Sequence, residues 1–265
     1  MPDVRRAAFF GGTYGNEPAL REAIRDARDR GAQELVCLGD LGGFGPRPER
    51  IAPLLQDAGV TVVQGNYEDA IGHDRPECGC GYTDPRDNHF AAIAYDFTRR
   101  RTPDDQRAWF RSLPATRRMT MAGRRLLLCH GSPRRQNEFL WESTSPDPFL
   151  DRLLREAGAD VLLCTHTGIP WSRTLPSGGQ VVNAGVLGRP ANDGRTTVSY
   201  ALLTVAGTDQ PLSIEQVPVE YDHEEVARDM RREGLPEEFV ETILTGWWTT
   251  CLEILPARER VRGRY

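Results

Sequence analysis

ELVCLGDLGGFGP, residues 34–46, is a short apolar run that stops at an aspartate set between glycines. A run of that length ending in Gly-Asp and a glycine-rich turn reads as a buried strand and the loop at its carboxyl end. The same pattern recurs at FFGGTYGN (9–16), VTVVQGNYED (60–69), LLLCHGSP (126–133) and DVLLCTHTG (160–168). Between the first three strands lie EPALREAIRDARDRG (17–31) and PERIAPLLQDAG (48–59), whose apolar residues repeat with the period of a helix. Strands alternating with crossover helices predict an α/β sheet, and such sheets present ligands at the carboxyl ends of their strands. The five turns are therefore expected to share one rim.

Residues 73–114 break this rhythm. A polar loop, HDRPECGCGYTDPRDN (73–88), precedes two helical stretches, HFAAIAYDFTRRR (89–101) and PDDQRAWFRSL (103–113), and the block reads as a cap or insertion near the rim. Beyond it come a hairpin turning at Ala122 and Gly123, a helix in PDPFLDRLLREAG (146–158), and strands WSRTL (171–175), QVVNAG (180–185), TVSYALLTV (197–205) and LSIEQVPV (212–219). A second sheet packed against the first is implied. Residues 221–265 form a C-terminal extension whose DHEEVARDMRREGLPEEFVETILTG (222–246) reads as two amphipathic helices broken at Leu-Pro, leaving 1–220 as the main domain.

Composition narrows the function. With 38 acidic against 33 basic residues the formal charge is −5, so nothing provides the basic excess that nucleic-acid binding needs, and no nucleic-acid partner is expected. The apolar part of MPDVRRAAFF is too short for a signal peptide, and no stretch approaches the roughly 18 apolar residues of a membrane span, so a soluble cytoplasmic protein is expected. Six cysteines in a chain of 265 residues do not make a disulfide framework. Cys129 and Cys164 read as core. Cys78 and Cys80, in ECGCGY, stay open to three roles: structural, thiolate ligands of a metal, or a redox pair.

Asp40, Asn66, His130 and His166 each follow an apolar strand, and together they offer a carboxylate, an amide oxygen and two imidazoles. That is a ligand set for a divalent first-row metal. Any one of them alone would be an ordinary turn residue; four on one rim are harder to read that way.

In the order and spacing of these motifs the sequence resembles the calcineurin-like metallophosphoesterases, over nearly the whole chain from FFGGTYGN to VVNAGVLGRPANDGRTTVSYALLTV (181–205). The resemblance implies a four-layer α-β-β-α sandwich of two mixed sheets flanked by helices. It also implies two metal ions at the sheet ends that clamp a phosphate for attack by hydroxide. Asp40, Asn66, His130 and His166 match all the ligands of one of the family's two metal sites. The other site would need ligands where this chain has Gly12, Tyr14 and Gly168, leaving only Asp40.

One divalent ion, iron, manganese or zinc, is therefore expected, with a small phosphorylated or otherwise anionic substrate. Tyr14 is either a donor to a substrate oxygen or an aromatic that fills the lost metal's space, and Tyr67, after the Asn66 box, is the other candidate acid. Arg134 or Arg135, in HGSPRRQNEFLWE (130–142), is expected to bind the anion beside Asn137. Weak or absent phosphatase activity is expected. The rival expectations are a pseudoenzyme kept as a binding or regulatory module, and a mononuclear iron or manganese enzyme of non-phosphatase chemistry.

Overall fold

The computed structural model describes residues 5–205 and 212–261. Strand β1 (Arg6–Phe10) is buried on both faces, with Ala7 and Phe9 in one apolar cluster and Ala8 and Phe10 in another. A strand with no polar alternation must lie between two layers, and β1 does. It pairs in parallel with β2 (Glu34–Cys37), which pairs in parallel with β3 (Thr61–Val62). Its other edge carries β9 (Val198–Thr204) and then β10 (Ser213–Val219), both antiparallel to their neighbours.

The second sheet is built from β4 (Thr116–Met121), β5 (Arg124–Cys129), β6 (Val161–Cys164), β7 (Trp171–Thr174) and β8 (Gln180–Asn183), in the order β4-β5-β6-β8-β7. The hairpin turns at Ala122 and Gly123, both with positive φ, as a two-residue turn between tightly paired strands requires. The late strands do not all join this sheet: β9 returns to pair with β1. Local sequence cannot reveal that crossing, because β8 and β9 look alike.

Leu126, Leu128, Val161, Leu163 and Val182 meet Ala7, Phe9, Val36 and Leu38 between the sheets. The outer face of the second sheet is covered by α6 (Asp147–Ala157) through Leu150, Leu153 and Leu154, in a cluster that also holds Cys129 and Cys164. On the outer face of the first sheet lie α1 (Glu17–Asp29), α2 (Ile51–Asp57) and α3 (Asn66–Gly72). Two mixed five-stranded sheets with helices outside each make the four layers that the resemblance implies.

In the cap region, α4 (Pro85–Arg101) begins four residues before the expected start, because Asp84 caps it by accepting from the backbone N–H groups of Arg86 and Asp87, with Pro85 in the first turn. It is followed by α5 (Asp104–Ser112). The C-terminal helices α7 (His223–Arg232) and α8 (Glu237–Thr245) put Val226, Met230, Phe239, Val240 and Ile243 into the same cluster as α1 and α4. Arg47 ties α7 to the body through Glu225 and Asp229. The chain then runs to α9 (Ala257–Arg260), and residues 262–265 of the expected extension lie outside the described residues. Among the described residues no helix is long and apolar enough to cross a membrane.

The two sheets touch tightly where β1 and β8 end. A Cβ on Gly11 would stand 1.7 Å from the carbonyl oxygen of Gly185 and 2.5 Å from Thr165 Oγ1. Both neighbours are held in place, so Gly11→Ala is expected to destabilise the protein by about 3 kcal/mol. Urea unfolding checks this, and an unchanged midpoint would show that the sheet ends are less tightly fixed.

Candidate metal centre

Asp40 sits in a left-handed turn, φ 57°, directly after β2. Gly39 lets that turn lie against the start of α3, since a Cβ there would meet the Gly65 nitrogen at 2.3 Å. The buried carboxylate of Glu68 fastens the two turns together. It accepts from the backbone N–H groups of Asp40, Leu41 and Gly65, each at 2.8 Å. Burial, then the nearby Asp40 charge, pushes the Glu68 carboxyl up to about 7. The backbone N–H of Tyr67 donates to Asp40 Oδ1 at 3.2 Å, leaving Oδ2 turned to the histidines.

His130 follows β5 and His166 follows β6, the latter again left-handed at φ 68°. A non-glycine residue held there is uncommon, and such strain gathers at functional sites. His130 Nδ1 lies 2.7 Å from the Leu38 carbonyl oxygen and His166 Nε2 lies 3.2 Å from that of Cys80. A carbonyl only accepts, so each of those nitrogens carries a proton, and His130 Nε2 and His166 Nδ1 are the nitrogens that offer lone pairs when the rings are neutral.

These two nitrogens face each other, His130 Nε2 to His166 Nδ1 at 3.0 Å, with Asp40 Oδ2 3.2 Å from His130 Nε2. Two lone pairs and a carboxylate at this spacing repel unless a proton or a metal ion lies among them. Ligand atoms about 2.0–2.2 Å from one ion have such separations. The three ligand atoms fall within 4.8 Å of one another, and their residues are 3 %, 1 % and 7 % exposed for Asp40, His130 and His166.

Asn66 completes the fit. Its amide nitrogen donates to the Cys78 carbonyl at 3.0 Å, which assigns the amide's orientation, and its Oδ1 is buried with no hydrogen-bond partner. An orphaned buried carbonyl oxygen is costly, and a metal bond would satisfy it. Burial and the neighbouring His130 drive the His166 imidazole down to about 3. On His130 burial acts the same way, but the Asp40 carboxylate outweighs it and raises its affinity for a proton.

Cys78 and Cys80 contribute differently from thiolate ligands: their sulfurs are joined in a disulfide, and it is the backbone carbonyls of this loop that orient Asn66 and His166. Asn137 braces the loop by donating to the Gly79 carbonyl at 2.8 Å. Phe139 lies over His166, ring centroids 4.3 Å apart.

Side chains fill the space beside Gly12 and Gly168. The Tyr14 ring overlies Gly12, where a Cβ would meet its Cε1 at 2.6 Å, and a Cβ on Gly168 would meet the Trp248 indole at 2.8 Å. Between them lies Arg189, 5 % exposed, its guanidinium carbon 3.5 Å from the centre of the Trp248 ring, 4.6 Å from Phe44 and 6.0 Å from Tyr14. Burial pushes the Tyr14 and Tyr67 phenols above their ordinary values, so both keep their protons. They line a narrow cavity beside Asp40 and His166 with Tyr82 and Phe44. Tyr82, Cys80 and Ala91 separate it from an outer cleft of about 640 Å³ between the disulfide loop and α4.

The arginines expected at the anion are elsewhere. The Ser132 hydroxyl accepts from the backbone N–H groups of Arg134 and Arg135, each at 3.1 Å, and the turn carries both residues to the surface. Arg134 pairs with Glu138 at 2.7 Å and lies over Phe149. Sequence reading missed Glu68, Arg189 and Trp248. Glu68 was the findable one, since Gly-x-x-Glu at a helix start has capping-box spacing.

A family model described as the calcineurin-like phosphoesterase superfamily domain matches residues 8–208. An uncharacterised protein of Methanocaldococcus jannaschii is 26 % identical over 253 residues, covering 90 % of this chain and 97 % of that one. Two crystal structures share the fold. A hypothetical protein from Pyrococcus horikoshii has a TM-score of 0.75 at 21 % identity, covering 92 % of this chain and 99 % of that one. A metallophosphoesterase from Sphaerobacter thermophilus has a TM-score of 0.68 at 24 % identity, covering 92 % and 100 %. With the family model spanning both sheets and Asp40, His130 and His166 gathered at their shared rim, the chain belongs to the calcineurin-like phosphoesterase superfamily.

Proposed function

We propose that this protein is a one-metal enzyme that hydrolyses or otherwise transforms a small phosphorylated or similarly anionic substrate, with Asp40, Asn66, His130 and His166 as its metal ligands. The observation that carries the reading is the buried pair of imidazole nitrogens facing each other beside the Asp40 carboxylate, and the orphaned amide oxygen of Asn66 supports it. A divalent ion held there supplies positive charge and Lewis acidity toward an oxyanion. Tyr14 and Tyr67, both protonated and lining the cavity beside Asp40 and His166, would donate to a substrate oxygen. The body of the substrate would lie in the outer cleft, with Cys80 and Tyr82 as the wall it must pass.

The depth of the centre favours a second reading, a binding or regulatory module in which the ion is structural. The turnover assay separates the two.

Protein purified without added metal is expected to hold about one ion per chain, and Asn66→Ala and His166→Ala are each expected to weaken it by about tenfold or more. Binding requires bare imidazoles. In acid, His130 takes a proton first, because Asp40 raises its affinity, whereas His166 stays neutral down to about 3. One competing proton, held more tightly than by a free imidazole, predicts that affinity falls by about tenfold per pH unit on acidification, starting above the ordinary imidazole value near 6.5. Calorimetric titrations across pH 5–7 check the slope, and a flat profile contradicts the ligand set.

Generic phosphomonoesters and phosphodiesters are expected to turn over at well below about 0.1 s⁻¹, because a single ion leaves half the charge clamp missing. Rates near the enzyme median of about 10 s⁻¹ would contradict a one-metal site.

A further inference from the structure

Cys78 and Cys80 are joined across a single residue. A disulfide stabilises a fold by the chain entropy it removes from the unfolded state, and that entropy grows with the loop it closes, so a bond spanning one residue contributes little to stability. What it holds is local. The Cys78 carbonyl accepts from the Asn66 amide nitrogen at 3.0 Å, and the Cys80 carbonyl lies 3.2 Å from His166 Nε2. The bond therefore sets the spacing of two carbonyls that orient two of the four residues read as metal ligands.

Both cysteines line the outer cleft of about 640 Å³, and Cys80 also lines the inner cavity beside Asp40 and His166. The other cysteines, Cys37, Cys129, Cys164 and Cys251, are buried free thiols that line neither. Cys80 Sγ lies 3.4 Å from the Asn66 amide nitrogen, and Cys78 Sγ accepts from the Cys80 backbone N–H at 3.2 Å. Reduction pushes bonded sulfurs apart to van der Waals contact, and either sulfur, in moving, disturbs a contact of the Asn66 amide or of the loop backbone. The loop has room to follow: Gly79 and Gly81 take positive φ, 62° and 84°, and a Cβ on Gly79 would meet nothing within 4 Å.

We propose that the Cys78–Cys80 pair is a reversible dithiol–disulfide site, reached by a dithiol through the outer cleft, whose reduction loosens the hold of Asn66 and His166 on the metal; the second half rests on the metal reading above. A thiolate of the incoming dithiol attacks Cys78 Sγ, the bond to Cys80 breaks, and Cys80 leaves as a thiolate beside the Asn66 N–H donor. The second thiol of the reductant, deprotonated, then attacks its partner sulfur in the mixed disulfide and releases Cys78. The protein gains two electrons and two protons, and the reductant departs as a disulfide. A disulfide oxidant runs the same steps in reverse.

Oxidised full-length protein is treated with dithiothreitol, freed of it under argon, and compared with untreated protein in two ways. One is a thiol count after denaturation; the other is calorimetric titration with manganese, an ion that thiolates hold poorly. The count is expected to rise from the four free cysteines to all six. Manganese affinity is expected to fall by about tenfold, as when a metal ligand loses its outer support, and both changes are expected to reverse with oxidised glutathione.

The double variant Cys78→Ser, Cys80→Ser is expected to bind manganese as the reduced protein does and to ignore dithiothreitol. Should that variant fold poorly, the wild-type comparison decides alone. A thiol count that does not rise, an affinity that is unchanged or higher after reduction, or a dithiol effect that persists in the double variant would overturn the assignment. Manganese binding in neither state would overturn the metal reading instead, and the dithiol site is then judged by the thiol count, a rise supporting it and no rise overturning it.

Discussion

His130 donates its Nδ1 proton to the carbonyl oxygen of Leu38 at 2.7 Å, and this one bond joins the residue after β5 of the second sheet to the residue before the Gly-Asp turn of the first. It fixes which imidazole nitrogen faces Asp40 and His166. Without it the ring could turn and its tautomer would be free. The sheets meet closely at this end, where Gly11 lies against Gly185 and Thr165 with no room for a Cβ, while Gly39 and Gly65 pack the Gly-Asp turn against the start of α3. Glu68 holds the other side of the turn by three backbone bonds.

Around this fixed point the rim is asymmetric. On one side Asp40, His130 and His166 converge, and Asn66 Oδ1 is buried without a hydrogen-bond partner. On the other, an aromatic wall of Tyr14, Phe44 and Trp248 encloses a guanidinium. The C-terminal segment builds part of that wall, since Trp248 belongs to it and α7 and α8 share the core beneath.

The sequence made the strand-helix alternation, the shared rim and Asp40, Asn66, His130 and His166 legible, because each is written in a few adjacent residues. Gly12 and Gly168 were legible as absences. The return of β9 to β1 was not, since pairing between distant strands leaves no local trace in a buried apolar run. Nor was Arg189: a lone arginine before a proline, in a chain with only arginine for basic residues, reads as surface, and what buries it comes from Trp248, 59 residues later in the chain. Arg134 and Arg135 show the converse. Nearness to His130 in sequence suggested the site, but the Ser132 turn carries them outward.

The most direct test of a one-metal rim is anomalous diffraction at the metal edge from crystals grown in excess manganese. A single peak bonded by Asp40, Asn66, His130 and His166, with the Tyr14 ring still over Gly12, is the predicted result. A second peak beside Asp40 on the Tyr14 side, with the ring displaced, would contradict it.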